Sequence, residues 1–323
     1  MKKNLNEQRK STNNQERLFI TSENEIELAE LLSAIWQGKK LIILFCFVFA
    51  SISIVYAAFL PNIYKAEALL APVEQESKGG LSALAGQFGG LASLAGVSLG
   101  AGAGVDKTQM AIEVMRSRQF TNTFINKHKI LPDLMASKSW DRASNSITYD
   151  ESLYLENTGE WVRKIQLPYT SVPSKQEAYK KFREAVSINI DKETGMVTVS
   201  ASHISPFVAN NWVNLLIKEI NEAMKQRDVV EANKSRKFLT NQIQETKIAD
   251  IRAILYKLIE DQTKTIMFAN VRDEYVFKTI DPAIIPEESF KPNRILIVIM
   301  SIMIAGMLSI LYVLIRCLLV REK

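Results

Sequence analysis

The sequence predicts an α+β protein anchored in a membrane, and three observations carry the prediction. Two long uncharged apolar runs lie near the ends of the 323-residue chain, one strand-turn-strand pattern lies between them, and no proline occurs from Pro206 to Pro282. The expected architecture is two transmembrane helices flanking a periplasmic domain, with a small mixed sheet and a long protruding helix or helical hairpin. A net charge of +5 and a near-zero mean hydropathy hide this division, because the apolar spans and the charged middle average out.

The spans are the firmest elements. Residues 41–60 read LIILFCFVFASISIVYAAFL and residues 295–315 read ILIVIMSIMIAGMLSILYVLI, neither with a charge. About 20 apolar residues in a helix cross a hydrocarbon core of about 30 Å. The first run is too long and starts too far into the chain for a cleaved signal peptide, so it is expected to remain in the mature protein. Lys39 and Lys40 abut its start, and Arg316, Arg321 and Lys323 follow the second run. Basic residues collect on the cytoplasmic side, so residues 1–40 and 316–323 are expected there and residues 61–294 outside. Lys65, Lys291 and Arg294 weaken that bias without reversing it.

Before the first span, Ser22 and Glu25 have capping-box spacing and precede Ile26, Leu28, Leu31, Leu32, Ile35 and Trp36. This predicts an amphipathic helix on the inner surface, with Trp36 at the interface.

In the middle of the chain, residues 62–73 predict a strand ending at Pro72. The run GGLSALAGQFGGLASLAGVSLGAGAG over 79–104 admits three readings: phosphate loop, third span or flap. A phosphate loop needs Lys and Ser or Thr directly after its last glycine, and here Asp106 intervenes. A third span would contradict the basic C-terminus, and glycine and alanine contribute little transfer free energy. A flap touching the bilayer or a neighbouring subunit is the expectation. Helical spacing follows from Asp106 to Lys127, residues 132–175 read as loops with short elements, and a short helix is expected over 175–183.

The clearest hairpin is AVSINIDKETGMVTVSASH, with Val186, Ile188 and Ile190 alternating before the turn and Val197, Val199 and Ala201 after it. Pro206 then opens a helix whose Val208, Trp212, Leu215, Leu216 and Ile220 form one stripe. Helical composition over 206–270 implies either one rod of roughly 90 Å or a hairpin turning near Gln244 to Asp250. The apolar stripe thins after Gln226, so the arm exceeds what its own domain can cover. A return strand, DEYVFKTID, leads to Pro282, Pro286 and Pro292, which stiffen the segment over 282–292 before the second span.

Chemistry is sparse. The two cysteines, Cys46 and Cys317, lie in the spans or at their edge, and the middle of the chain has only His128 and His203. No catalytic, cofactor or metal site is expected. Asp133, Asp150, Glu151, Asp191 and Glu193 read as caps and turn residues, and His203 has no recognisable acid partner. No basic surface interleaved with aromatics suggests nucleic acid. A sensor would need an output domain after the second span, and a glycosidase would need paired carboxylates.

EIELAELLSAIWQGKKLII, LPNIYKAEALLAP, GGLASLAG and TKTIMFANVRDEYVFKTIDPAIIPEESFKPNR together resemble the chain-length determinant family, the Wzz-type polysaccharide co-polymerases of Gram-negative inner membranes. The resemblance implies a non-catalytic homo-oligomeric ring, commonly of eight subunits. It further implies a Wzy-type polymerase as partner, an undecaprenyl-diphosphate-linked polysaccharide as the regulated polymer, and contact with the lipid bilayer. It carries Pro282, Pro286, Pro292 and Gly306 over as the coupling segment, although Ser289 is separated from Pro292 and Gly306 stands where the family has several glycines. Related export co-polymerases carry a cytoplasmic tyrosine kinase, which would here have to be a separate polypeptide.

Overall fold

The computed structural model describes residues 28–73, 107–165 and 170–321. The glycine-rich run over 79–104 and the Ser22–Glu25 pair lie outside the described residues. The chain divides into two compact units, residues 1–60 with 292–323, and residues 61–291.

The described residues of the first unit contain two helices, α1 (Leu28–Phe59) and α8 (Arg294–Arg321). Each contains a stretch long and apolar enough to cross a membrane, Gly38–Phe59 and Arg294–Arg316. The segment expected as an inner-surface helix runs unbroken into the span from Leu28. It contains no proline, and its one glycine, Gly38, is tolerated within a helix. Contacts between the helices fall in descending order: Gly38 meets Val313, Phe45 stacks on Tyr312 at 6.5 Å, Cys46 faces Gly306, and Ser301 Oγ donates to the Phe49 carbonyl at 3.5 Å. The two spans are therefore antiparallel.

The second unit centres on a four-stranded sheet in the order β6-β7-β1-β8, made of β1 (Tyr64–Pro72), β6 (Val186–Ile190), β7 (Val197–His203) and β8 (Phe277–Asp281). Every pairing is antiparallel, which corrects the expected mixed sheet. The ends of the unit explain this: Ile63 N–H donates to the Lys291 carbonyl at 2.9 Å, so the chain enters and leaves at one place. The strand leaving that place and the strand returning to it must run oppositely. The β6-β7 turn closes through Gly195 at φ +70°, where the left-handed conformation favours glycine.

One face of the sheet is apolar, as the alternation required. Ala66, Ala68 and Leu70 of β1 and Val197, Val199 and Ala201 of β7 are buried. They are covered by α6 (Pro206–Glu245), whose Trp212, Val213, Leu216 and Ile220 are buried in the same cluster. Alanine at 66, 68 and 201 lets a helix carrying a tryptophan lie close to the strands. The edge of this core is closed by α2 (Lys107–Arg116), α3 (Arg118–His128) and α5 (Lys175–Ala185), with Ile112, Met115, Phe124 and Phe182 inside. The predicted helix over 106–127 is two helices because the Ser117 hydroxyl accepts from Phe120 N–H and starts a second one.

Residues 131–161 form α4 (Leu131–Ala136) and two small antiparallel ribbons, β2 (Ser137–Asp141) with β3 (Ser146–Tyr149) and β4 (Tyr154–Leu155) with β5 (Glu160–Trp161).

The helical arm is a hairpin. Helix α6 ends at Glu245, Thr246 and Ile248 adopt extended backbone, and α7 (Ala249–Val271) packs back along α6. At 1.5 Å per residue the two are about 60 and about 35 Å long. Nine of the ten buried residues of α6 lie at or before Met224, and the tenth is Ala232; in α7 only Ala269 is buried. The distal hairpin thus has little beneath it besides its own partner helix.

Candidate functional site

Small residues hold the spans together. Ser53, Ala57, Ala305 and Ser309 are buried within the pair, and Ser309 Oγ donates to the Gly306 carbonyl at 2.8 Å. A Cβ on Gly306 would lie 3.9 Å from Cys46 Sγ, an ordinary contact. At Gly38 it would lie 2.7 Å from Val313 Cγ1, so Gly38 and not Gly306 marks the closest approach. Without a hydrophobic force between helices in lipid, close packing of small residues is the main source of their affinity. At one end Trp36 is 69 % exposed with Lys39 Nζ 4.7 Å above its ring, and Lys40 and Arg316 are exposed, a composition suited to headgroups.

The proline segment begins directly after β8. Pro282 is exposed and Pro286 is half-buried, while Ile284 between them is exposed. Beyond them the Ile63 carbonyl accepts from the N–H groups of Phe290 (2.8 Å) and Lys291 (3.2 Å), and Lys65 and Lys291 both place their ammonium groups near the Phe290 ring. Pro292 precedes α8, and Gly306 lies within it. Pro282 and Pro286 belong to the second unit, Pro292 and Gly306 to the first.

Four of the acid and base candidates, Asp133, Asp150, Asp191 and His203, have structural partners. Asp191 accepts from the Glu193 and Thr194 N–H groups of its turn, which hold its carboxyl below the ordinary value. Asp150 is bonded and lowered in the same way by Ser152. The Asp133 carboxylate accepts from Tyr149 Oη at 2.6 Å, and burial with that bond pushes the phenol well up. Buried His203 faces the main-chain carbonyl of Asp133 from Nε2 at 3.0 Å, and its Nδ1 accepts from Ser205 N–H at 3.0 Å. Donation from Nε2 fits both bonds, and burial pulls the imidazole below its ordinary value. This histidine fastens α4 to the start of α6. Among the described residues no three His, Cys, Asp or Glu side chains converge as metal ligands would.

The polar groups that organise the unit join distant parts of the chain. Lys107 Nζ and Tyr275 Oη both reach Asp228 Oδ2, at 2.5 and 2.6 Å. This ties the first residue of α2 to the middle of α6 and to the segment entering β8. Lys127 and His128 both meet Glu219, at 2.8 and 3.2 Å. Burial opposes the charged form of Glu219, but the Lys127 and His128 contacts outweigh it and the carboxyl is lowered. Arg163 clamps Glu177 at 3.1 Å and the carbonyls of Thr170 and Ser171, while Glu177 also completes a capping box with Ser174. Only this last device has a short-range signal, the spacing of Ser174 and Glu177.

Among the described residues the hairpin carries several large exposed apolar side chains. Phe238 is 63 %, Tyr256 60 % and Val271 76 % exposed, with Val230, Ile248, Ile251 and Met267 also open. Exposed apolar side chains, where they form a contiguous patch, are characteristic of interaction surfaces.

Fold and surfaces define a membrane-anchored α+β protein that presents a helical hairpin. Residues 24–128 match the family model described as "Chain length determinant protein", and residues 241–318 match one described as "G-rich domain on putative tyrosine kinase". Over residues 24–128 the chain is thus similar to the chain-length determinant family. Among solved structures, a full-length bacterial polysaccharide co-polymerase is 14 % identical, with 93 % of this chain and 99 % of that chain covered, at a TM-score of 0.37. A fragment of WzzB, the polysaccharide co-polymerase from Salmonella Typhimurium, is 11 % identical over 72 % of this chain and all of its own, at a TM-score of 0.30. No curated protein matches the chain.

Proposed function

We propose that the protein is a non-catalytic oligomeric scaffold that sets the modal length of lipopolysaccharide O-antigen, or a related undecaprenyl-linked glycan, beside a Wzy-type polymerase. The observation that carries this reading is the hairpin: Phe238, Tyr256 and Val271 are open on helices that have little else to cover them. Copies of the chain arranged in a ring supply that cover. In this reading the protein is a two-pass protein of the bacterial inner membrane, with its sheet and hairpin in the periplasm and both termini cytoplasmic. Pro282, Pro286, Pro292 and Gly306 couple the spans to the exported unit. Trp36, Lys39, Lys40 and Arg316 lie at the inner interface.

Deleting the gene leaves glycan of unregulated length, read as loss of the modal band on a gel ladder; an unaltered ladder refutes the reading. Electron microscopy of the purified full chain in native-like lipid shows rings, and single subunits refute the scaffold.

The match over residues 241–318 favours a second reading, an export co-polymerase for exopolysaccharide or capsule that works with a cytoplasmic tyrosine kinase. A neighbouring kinase gene and loss of exported polymer on deletion support it, whereas a neighbouring polymerase gene and altered length support the first.

A further inference from the structure

Three rings from three separate elements meet beside the entry to the sheet. Tyr64, the first residue of β1, contacts Trp140 of β2 edge to face with centroids 5.6 Å apart, and Trp140 tilts against Phe207 of α6 at 6.2 Å. Phe207 is placed by the rigid start of its helix, where Pro206 follows the Ser205 cap. The Trp140 indole N–H donates to Asn145 Oδ1 at 2.9 Å, so its hydrogen-bonding need is met within its own ribbon. With Ile285 these rings line a cavity of about 210 Å³, which Arg142 and Glu287 also line. Among the described residues neither Arg142 nor Glu287 has an ion pair or a side-chain hydrogen bond.

The combination restricts the ligand. Arg142 and Glu287 are exposed at the rim, so a purely apolar occupant would leave the cavity's two charged groups unused. A multiply charged anion would meet Glu287, and a multiply charged cation would meet Arg142. A sugar ring satisfies every wall: its C–H face packs on the aromatic rings, and its hydroxyls accept from the guanidinium and donate to the carboxylate. Pockets for drug-sized ligands start at roughly 300 Å³, so this one suits a single ring.

We propose that the cavity lined by Tyr64, Trp140, Phe207, Arg142 and Glu287 binds one sugar residue of the glycan that the protein handles. This rests on the reading above that the protein acts on a growing polysaccharide. A held sugar would keep the polymer against the same end of the sheet at which the chain enters and leaves the unit.

The test uses the full-length chain in nanodiscs and the polysaccharide of the producing strain, purified and freed of lipid. Saturation-transfer NMR is expected to show magnetisation passing from protein to sugar-ring protons. Phe207→Ala and Arg142→Ala each weaken binding about threefold to tenfold, the range expected for losing one aromatic or polar contact. Thermal melts confirm that both variants stay folded, and Glu287→Gln gives a third variant at an exposed site. No transfer with the unaltered protein, or equal transfer with all three variants, overturns the proposal. In cells, a glycan ladder that depends on the gene but is identical for the variants removes only this pocket, whereas a ladder indifferent to the gene removes the glycan reading itself.

Discussion

The side-chain amide of Asn221 pairs with both backbone polar groups of Phe277: Oδ1 accepts its N–H at 3.0 Å and Nδ2 donates to its carbonyl at 3.1 Å. Oδ1 also takes the Val276 N–H, and Nδ2 reaches the Ile217 carbonyl one helical turn back. The Val276 carbonyl accepts from Val73 N–H beside β1, and β8 is an edge strand, so the amide satisfies backbone groups at its start that no neighbouring strand reaches. Asn221→Ala should destabilise the unit by about 3 kcal/mol, since buried strand groups lose their partners. Urea unfolding of the full chain in detergent measures it; a loss below ~0.5 kcal/mol would contradict the role given to the amide.

The closest approach of the spans predicts a compensating pair. Gly38→Ala places a methyl against Val313 and should cost about 1–3 kcal/mol by overpacking. Val313→Ala in the same chain should restore most of it, and a double-mutant cycle on thermal unfolding in lipid reads the coupling. Additive losses would mean that the two residues do not touch.

Glu177 predicts an acid effect. The Arg163 bond, then the Ser174 N–H bond, lower its carboxyl from 4.5 to about 2. Its folded value is depressed, so its contribution is present above pH 4.5 and disappears as pH falls from there toward 2. The melting temperature of Glu177→Gln should lie below that of the unaltered protein at pH 7 and converge on it near pH 2. A gap independent of pH would remove the charge from the explanation.

The Asp228 cluster predicts an order of severity. Lys107 is more exposed than Asp228, 40 % against 14 % for the side chains, so Lys107→Met removes a partly solvated cation. Asp228→Ala also removes the acceptor of the buried Tyr275 hydroxyl. Hydrogen exchange should therefore rise more at the start of β8 for the aspartate variant, by about 1–3 kcal/mol in opening free energy. Equal effects would mean that Tyr275 gains nothing from Asp228.

What the sequence made legible were elements whose signals are local. Val186, Ile188 and Ile190 alternate against Val197, Val199 and Ala201, and the paired strands follow from that alternation. Pro206 and the stripe through Trp212 and Ile220 place a helix over an apolar sheet face. The hairpin in the arm was one of two open readings, because no glycine or proline marks Thr246 to Ile248; the two helices separate there without a conformational breaker. The strand order and the antiparallel β8 depend on which distant strand shares an edge, and no short window contains that. The same holds for Asn221 with Phe277 and Lys107 with Asp228, whose partners lie far apart in sequence. His203 was readable as a structural strand-end residue, but its partner is a main-chain carbonyl, which carries no residue-type signal. The aromatic cavity was equally hidden, since Tyr64, Trp140, Phe207 and Ile285 come from four separate stretches.

The bonds between Ile63 and residues 290 and 291 work as a clasp across the two legs of the chain. Pulling the legs apart would open it one bond at a time, as a zipper opens, whereas drawing one leg past the other would load its bonds together in shear and make it far harder to break. Force that separates the two legs and force that slides one past the other should therefore unravel the unit at different loads.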